Sequence, residues 1–243
     1  MSALSPVYRA VMTLATPAVR WWGRLEVVGE DLVPAEGPVL VMANHDSAWD
    51  PVVVGVALIR RRQVRALAKD SLWRVRPVAW VLDRMGQIPI ARGRGDTAAM
   101  ADAIRVLAEG GCVGVFPEGT VSRGRTLRPM SGAGRVALAV PGAPVLAVRI
   151  TGAVDLVRFP RRPRVRVEVF EPAGGPPAAG ESAVRLTRRV VEEIRQGTPP
   201  VIPGRPRAAA GFRRLVAEHE ARTGSGSGSG SRSGSGFGGA AAG

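Results

Sequence analysis

The chain has 243 residues, one cysteine and a formal net charge of +14, from 34 Lys+Arg against 20 Asp+Glu. That length suits one globular domain with short additions, while a single cysteine excludes an intrachain disulfide and the absence of 18 uninterrupted apolar residues argues against a spanning helix. The basic excess points to nucleic acid, an anionic membrane surface or a phosphorylated substrate, in part offset by a compositional bias towards Arg, but 5% aromatic content argues against a stacking platform for single strands.

Residues 3–22 read as one or two short helices broken near Pro17, with Val7, Val11, Leu14, Ala15 and Ala18 at helical spacing and Trp21 and Trp22 at the end. Arg9, Arg20 and Arg24 flank this face. Two readings stand side by side: a helix in the membrane interface, or one packed on its own domain. Pro17, Arg20 and Arg24 interrupt or follow the apolar segment, so it does not read as a signal peptide.

From residue 25 the pattern alternates strand and helix. Leu25–Val28 and Pro38–Ala43 predict strands, the second a continuous apolar run suited to a sheet covered on both faces. A helix follows over 49–60, a strand over Val64–Ala68, helical turns interrupted by Pro77 over 71–84, and a strand over Gln87–Ile90. Thr97–Glu109 is an amphipathic helix, with Met100, Ala103, Ile104 and Leu107 on one face and Gly110-Gly111 ending it. Cys112–Phe116 and Pro144–Thr151 predict strands, and Cys112 reads as a buried strand thiol in a reducing, cytoplasmic compartment. Arg164–Phe170 alternates charged and apolar residues as an edge strand would. A last helix spans 181–195. The fold class is α/β, a mostly parallel central sheet flanked by helices, with an N-terminal amphipathic helical segment. The expected division is 1–24 for the interface helices, 25–203 for the main domain, and 204–243 for a Pro/Arg then Gly/Ser-rich tail, largely disordered, with a possible helix over 208–222.

The chemistry concentrates after the strands. His45 directly follows Pro38–Ala43, at the strand end where open α/β sheets bind ligands. Asp50 falls in the first turn of the next helix. Its carboxylate can accept from one imidazole nitrogen and leave the other to take a substrate proton. Asp50 also suits a helix N-cap, with Pro51 at the first helical position. With no serine or cysteine nucleophile convincingly paired to His45, direct attack by a substrate hydroxyl is favoured over a covalent intermediate. After Cys112–Phe116 come Glu118, Gly119, Thr120 and Arg123, a set suited to a phosphorylated polyol: Glu118 for hydroxyls, Gly119 for close backbone approach, Arg123 for phosphate. Arg92 ends a third strand and reads as a phosphate clamp. Lys69, the only lysine, ends another and joins the substrate-binding set; phosphate contact, oxyanion support and simple solvation all stand as its readings.

In chain order, Asn44-His45-x4-Asp50, Gly86-x-Ile88-x-Ile90-x-Arg92, Phe116-Pro117-Glu118-Gly119-Thr120 and Ala143-Pro144-Val145-Leu146-Ala147-Val148 resemble the lysophospholipid/glycerolipid acyltransferase family, over about residues 25–200. The resemblance implies an O-acyltransferase like the 1-acylglycerol-3-phosphate acyltransferases. His45 and Asp50 would be catalytic, and Arg92, Glu118, Gly119, Thr120 and Arg123 would bind the glycerol phosphate acceptor. It implies no metal and no bound cofactor, with acyl-CoA or acyl-acyl-carrier-protein as co-substrate and an acyl groove near Trp73, Trp80 and Leu82. The partners would be membrane lipids and the thioester donor, not nucleic acid. The N-terminal helices would dock on the cytoplasmic face of the cell membrane, making the protein peripheral or monotopic. Two departures stand out: Val121 where the family often has arginine, and Ala147 where it often has a second proline. The rival readings are another glycerolipid or glycolipid acceptor, a catalytically silent lipid-binding protein, and a basic nucleic-acid-binding protein.

Overall fold

A computed structural model describes residues 4–91, 95–157 and 162–201, all within one compact unit that ends at Pro203. The expected tail over 204–243, with its helix over 208–222, lies outside the described residues.

Among the described residues seven strands form one sheet: β1 (Glu26–Val28), β2 (Val39–Ala43), β3 (Val64–Lys69), β4 (Ile88–Ile90), β5 (Cys112–Val115), β6 (Val145–Thr151) and β7 (Arg166–Phe170). Their lateral order is β1-β7-β6-β2-β5-β3-β4. Neighbours run parallel everywhere except β6 with β7. The C-terminal ends of β2, β3, β4 and β5 therefore share one edge, the edge on which ligands of open α/β sheets bind.

β2 lies mid-sheet and is buried along its whole length. Val39, Val41 and Ala43 point into one core, and Leu40 and Met42 into the other. The first core is covered by α1 (Pro6–Thr16) and α2 (Asp50–Leu58), the second by α4 (Thr97–Ala108), α5 (Gly132–Ala139) and α6 (Ala183–Gly197), with α3 (Arg76–Arg84) between β3 and β4. A sheet covered on both faces needs apolar residues at successive strand positions, which is why β2 lacks alternation. Local signals fix the helix starts. Asp96 accepts from the Ala99 amide at 3.0 Å to cap α4, and Ser182 from the Arg185 amide at 3.3 Å to cap α6.

The N-terminal segment packs on its own domain. Tyr8 and Met12 are buried, and Val7, Val11, Ala15 and Trp22 lie against the first core, while Leu14 and Trp21 are exposed. α1 continues into a π-helical turn over Pro17–Trp22. No described helix is long and apolar enough to cross a membrane.

Two expectations and one omission need correction. β7 is not an edge strand: it sits between β1 and β6. Its alternation arises because Val167 and Val169 face the first core while Arg166 stays exposed. α5 was not expected at all, because Gly132 and Gly134 in its first turn are poor helix formers. The glycine serves packing instead: a Cβ on Gly134 would lie 2.1 Å from the Ala183 carbonyl oxygen at the start of α6. Pro77 does not interrupt a helix but occupies the first turn of α3, after a 3-10 turn over Asp70–Arg74.

Candidate active site

His45 and Asp50 meet at the C-terminal end of β2. The imidazole Nδ1 lies 3.1 Å from Asp50 Oδ2, and both residues are buried. The tautomer that fits an ionised Asp50 donates a hydrogen bond from Nδ1–H to the carboxylate and leaves Nε2 as the acceptor. The same Asp50 oxygen accepts the amides of Asp46 and Ser47, each at 2.7 Å. Asp50 is the first residue of α2 and does not act as its N-cap, a place taken by Trp49. It ties the loop before the helix together instead. Burial pushes the Asp50 carboxyl above its ordinary pKa; the hydrogen bonds from His45, Ser47 and Asp46 oppose that rise without cancelling it. The Phe116 ring packs beside the imidazole, with centroids 4.6 Å apart.

Glu118 is buried beside them, and its carboxylate meets groups of the protein itself. Its Oε2 accepts the His45 amide at 2.9 Å and Arg195 Nη2 at 2.6 Å, and its Oε1 accepts Arg195 Nε at 2.7 Å. Both oxygens are engaged within the protein. Arg195, in the last turn of α6, also donates from Nη1 to Asp46 Oδ2 at 2.8 Å. One cation serves two carboxylates. Burial works against the Arg195 charge, but its bonds to Asp46 and Glu118 outweigh that and raise its pKa, whereas burial holds the Glu118 carboxyl up. Ser122 completes the cluster, its hydroxyl donating to Asp46 Oδ1.

The remaining expected site residues divide. Lys69 ends β3, is exposed, and lines with His45 an apolar groove of about 410 Å³. Tyr8, Met12, Val52, Ala66, Leu82 and Val121 line it too. Trp73 and Trp80 do not: Trp73 donates its indole N–H to Asp83, and Trp80 is exposed with Arg84 stacked 5.5 Å from its ring. Gly119, at φ +69°, borders a separate pocket of about 300 Å³ with Phe116 and Met130. Its Cβ would meet Met130 Sδ at 2.7 Å. Thr120 and Arg123 are exposed in the following turn, and neither lines the groove. Arg92 lies outside the described residues.

Sequence reasoning missed Arg195, Asp46 and Ser122. Arg195 was readable only as a basic residue in a helix's last turn, where cations are common. Its partners stand 77 and 149 positions away, and no local pattern points that far.

The arrangement is one that can take a proton from a hydroxyl beside an apolar groove. The family model described as "Acyltransferase" matches residues 24–151. A 1-acyl-sn-glycerol-3-phosphate acyltransferase of Borreliella burgdorferi is 37% identical over 107 residues, covering 43% of this chain and 42% of that protein. One from Bacillus subtilis is 26% identical over 98 residues, 40% of this chain and 49% of its own. The match thus spans less than half the length of these curated relatives. Among solved structures, the 1-acyl-sn-glycerophosphate (LPA) acyltransferase PlsC from Thermotoga maritima superposes with a TM-score of 0.61 at 25% identity, over 81% of this chain and 82% of that one.

Proposed function

Since this chain belongs to the Acyltransferase family, we propose that it moves a fatty acyl group from an acyl thioester to the free hydroxyl of a lysophospholipid, 1-acyl-sn-glycerol-3-phosphate. The observation that carries this reading is the His45–Asp50 pair, bonded through Nδ1 at 3.1 Å, with His45 in the wall of the 410 Å³ apolar groove.

In this mechanism Nε2 of His45 accepts the proton of the acceptor hydroxyl as its oxygen attacks the thioester carbonyl. Asp50 holds the tautomer and stabilises the imidazolium. The new C–O bond forms, the C–S bond breaks, and the proton on Nε2 passes to the departing thiolate. Atoms and charge balance with the thioester alone, whether the carrier is coenzyme A or acyl carrier protein. The groove takes the aliphatic chain, whose burial is worth about 0.8 kcal/mol per methylene. Arg92, Thr120, Arg123 and Lys69 are the candidates for the acceptor's polar end. Glu118 contributes by holding His45. The net charge of +14 and the exposed Leu14 and Trp21 support peripheral attachment to an anionic bilayer, on its cytoplasmic face.

One observation favours a second reading. Val121, where the family often carries arginine, lines the apolar groove, which suits another glycerolipid or a glycolipid as the acceptor.

The test is a panel of lysophospholipid and glycolipid acceptors, each offered acyl-CoA and acyl-acyl-carrier-protein, with the purified full chain. Turnover is expected with 1-acyl-sn-glycerol-3-phosphate, and His45→Ala should lower it by about 10²–10⁴-fold. Transfer to none of the acceptors, or an unimpaired His45→Ala, would sink the reading.

A further inference from the structure

We infer that Arg195 is a positioning residue for acyl transfer, setting the place of His45 through Glu118 and Asp46 without touching substrate; this rests on the function proposed above. The geometry carries it. Arg195 grips Glu118 through Nε and Nη2, at 2.7 and 2.6 Å, and Asp46 through Nη1 and Nη2, at 2.8 and 3.2 Å. Nη1 also donates to the Thr198 carbonyl at 3.0 Å. All three guanidinium nitrogens are in use, and the side chain is 11% exposed.

Both carboxylates in turn hold the loop that carries His45. Glu118 takes the His45 amide. Asp46 follows His45 in the chain and accepts Asn44 Nδ2 at 3.0 Å, while its amide donates to Asp50. Asn44 is itself fixed to Ile150 by two bonds, at 2.9 and 2.8 Å. The main chain of His45 is therefore clamped on both sides through one cation from a helix remote in sequence. Remove that cation and two buried carboxylates face each other with no counter-charge, so one must turn away or take a proton. Either change releases a grip on His45.

α6 does not need this cluster to dock, because Leu186, Val190, Val191 and Ile194 already bury one face of the helix. Buried ion clusters are often no better for stability than apolar residues of the same volume. Arg195 lines neither the groove nor the Gly119 pocket, so it acts through its partners.

Three variants of the full chain test this: Arg195→Met, Arg195→Lys, and Arg195→Met combined with Asp46→Asn and Glu118→Gln. Arg195→Met should lower kcat by about 10–100-fold, the scale of a small misplacement of a reacting group, with KM for donor and acceptor within about 3-fold. Arg195→Lys should recover part of the loss. The triple variant leaves no buried charge unpaired and should regain the wild-type melting temperature while kcat stays at least about 10-fold low. Wild-type kcat in Arg195→Met, or recovery of kcat together with melting temperature in the triple variant, would overturn the inference. If the wild type transfers acyl groups to no lysophospholipid, the proposed function fails instead. Positioning is then read from the His45 ring resonances in a His219→Gln background, which Arg195→Met must shift if the clamp is real; unchanged resonances overturn it.

Discussion

The amide of Ser122 donates to the carbonyl of His45 over 2.7 Å. Glu118, four residues earlier, accepts the amide of the same histidine. One turn after β5 thus holds both polar groups of His45's own main chain. The motif after β5 and the motif after β2 form a single unit because β5 and β2 are parallel neighbours, with Met42 opposite Val115 at their C-terminal ends.

Asp50→Asn separates function from stability. The variant keeps the shape of the carboxylate but cannot stabilise an imidazolium by charge, so turnover should fall by about 10²–10⁴-fold. Stability should move the other way. The folded-state pKa of Asp50 is raised, chiefly by burial, so the native state holds this proton more tightly than the unfolded chain does. The stabilising effect of that proton is full below the unfolded pKa and is lost as pH rises through the folded pKa. Asp50→Asn should melt higher than the wild type at pH 7, with the gap closing as pH falls towards the ordinary carboxylate range. Thermal melts across that range check the sign; a variant that melts lower at pH 7 contradicts it.

Ala66→Phe fills the groove from β3, where Ala66 stands among the lining residues with Val52, Leu72 and Phe116. Kinetics with a ladder of acyl-CoA donors should show KM rising about 10-fold or more for long chains, the equivalent of losing roughly two buried methylenes. Donors of two to four carbons should be unaffected. An equal loss at every chain length would mean that the aliphatic tail lies elsewhere.

Cys112 should be inert in the native protein. It is buried in β5, and burial pushes its thiol pKa up to about 12, so almost no thiolate exists at pH 8. A chromogenic disulfide reagent should label it stoichiometrically in denaturant and leave it unlabelled in buffer. Rapid labelling of the folded chain would place the thiol at the surface.

Much of the fold is legible in the sequence wherever burial on both faces writes a continuous apolar run, as in β2 and β6. The site is legible for a related reason: His45, Lys69 and Glu118 each sit at or just after a strand's end, and parallel strands bring such ends to one edge. Lateral order is not legible in the same way. The alternation of β7 reports that one face is covered, and it is the same for an edge strand and for one flanked by β1 and β6. α5 hides behind Gly132 and Gly134 because a glycine chosen for close helix contact looks, in one dimension, like a glycine chosen for a turn. Glu118 is legible as a polar residue just after a strand's end, but the cation it meets is not. Its partner, Arg195, is separated from it by 77 residues.

The groove beside His45 is built from two stretches of chain. Tyr8 and Met12 come from α1, before the first residue matched by the family model, whereas His45, Asp50 and Glu118 lie inside that match. The part of the wall supplied by α1 is also part of the first core, where Tyr8 and Met12 are buried and the Tyr8 hydroxyl accepts the Val64 amide at 3.3 Å. A change in what the groove admits made at Tyr8 or Met12 is thus also a change in the packing beneath β2, the strand that carries His45.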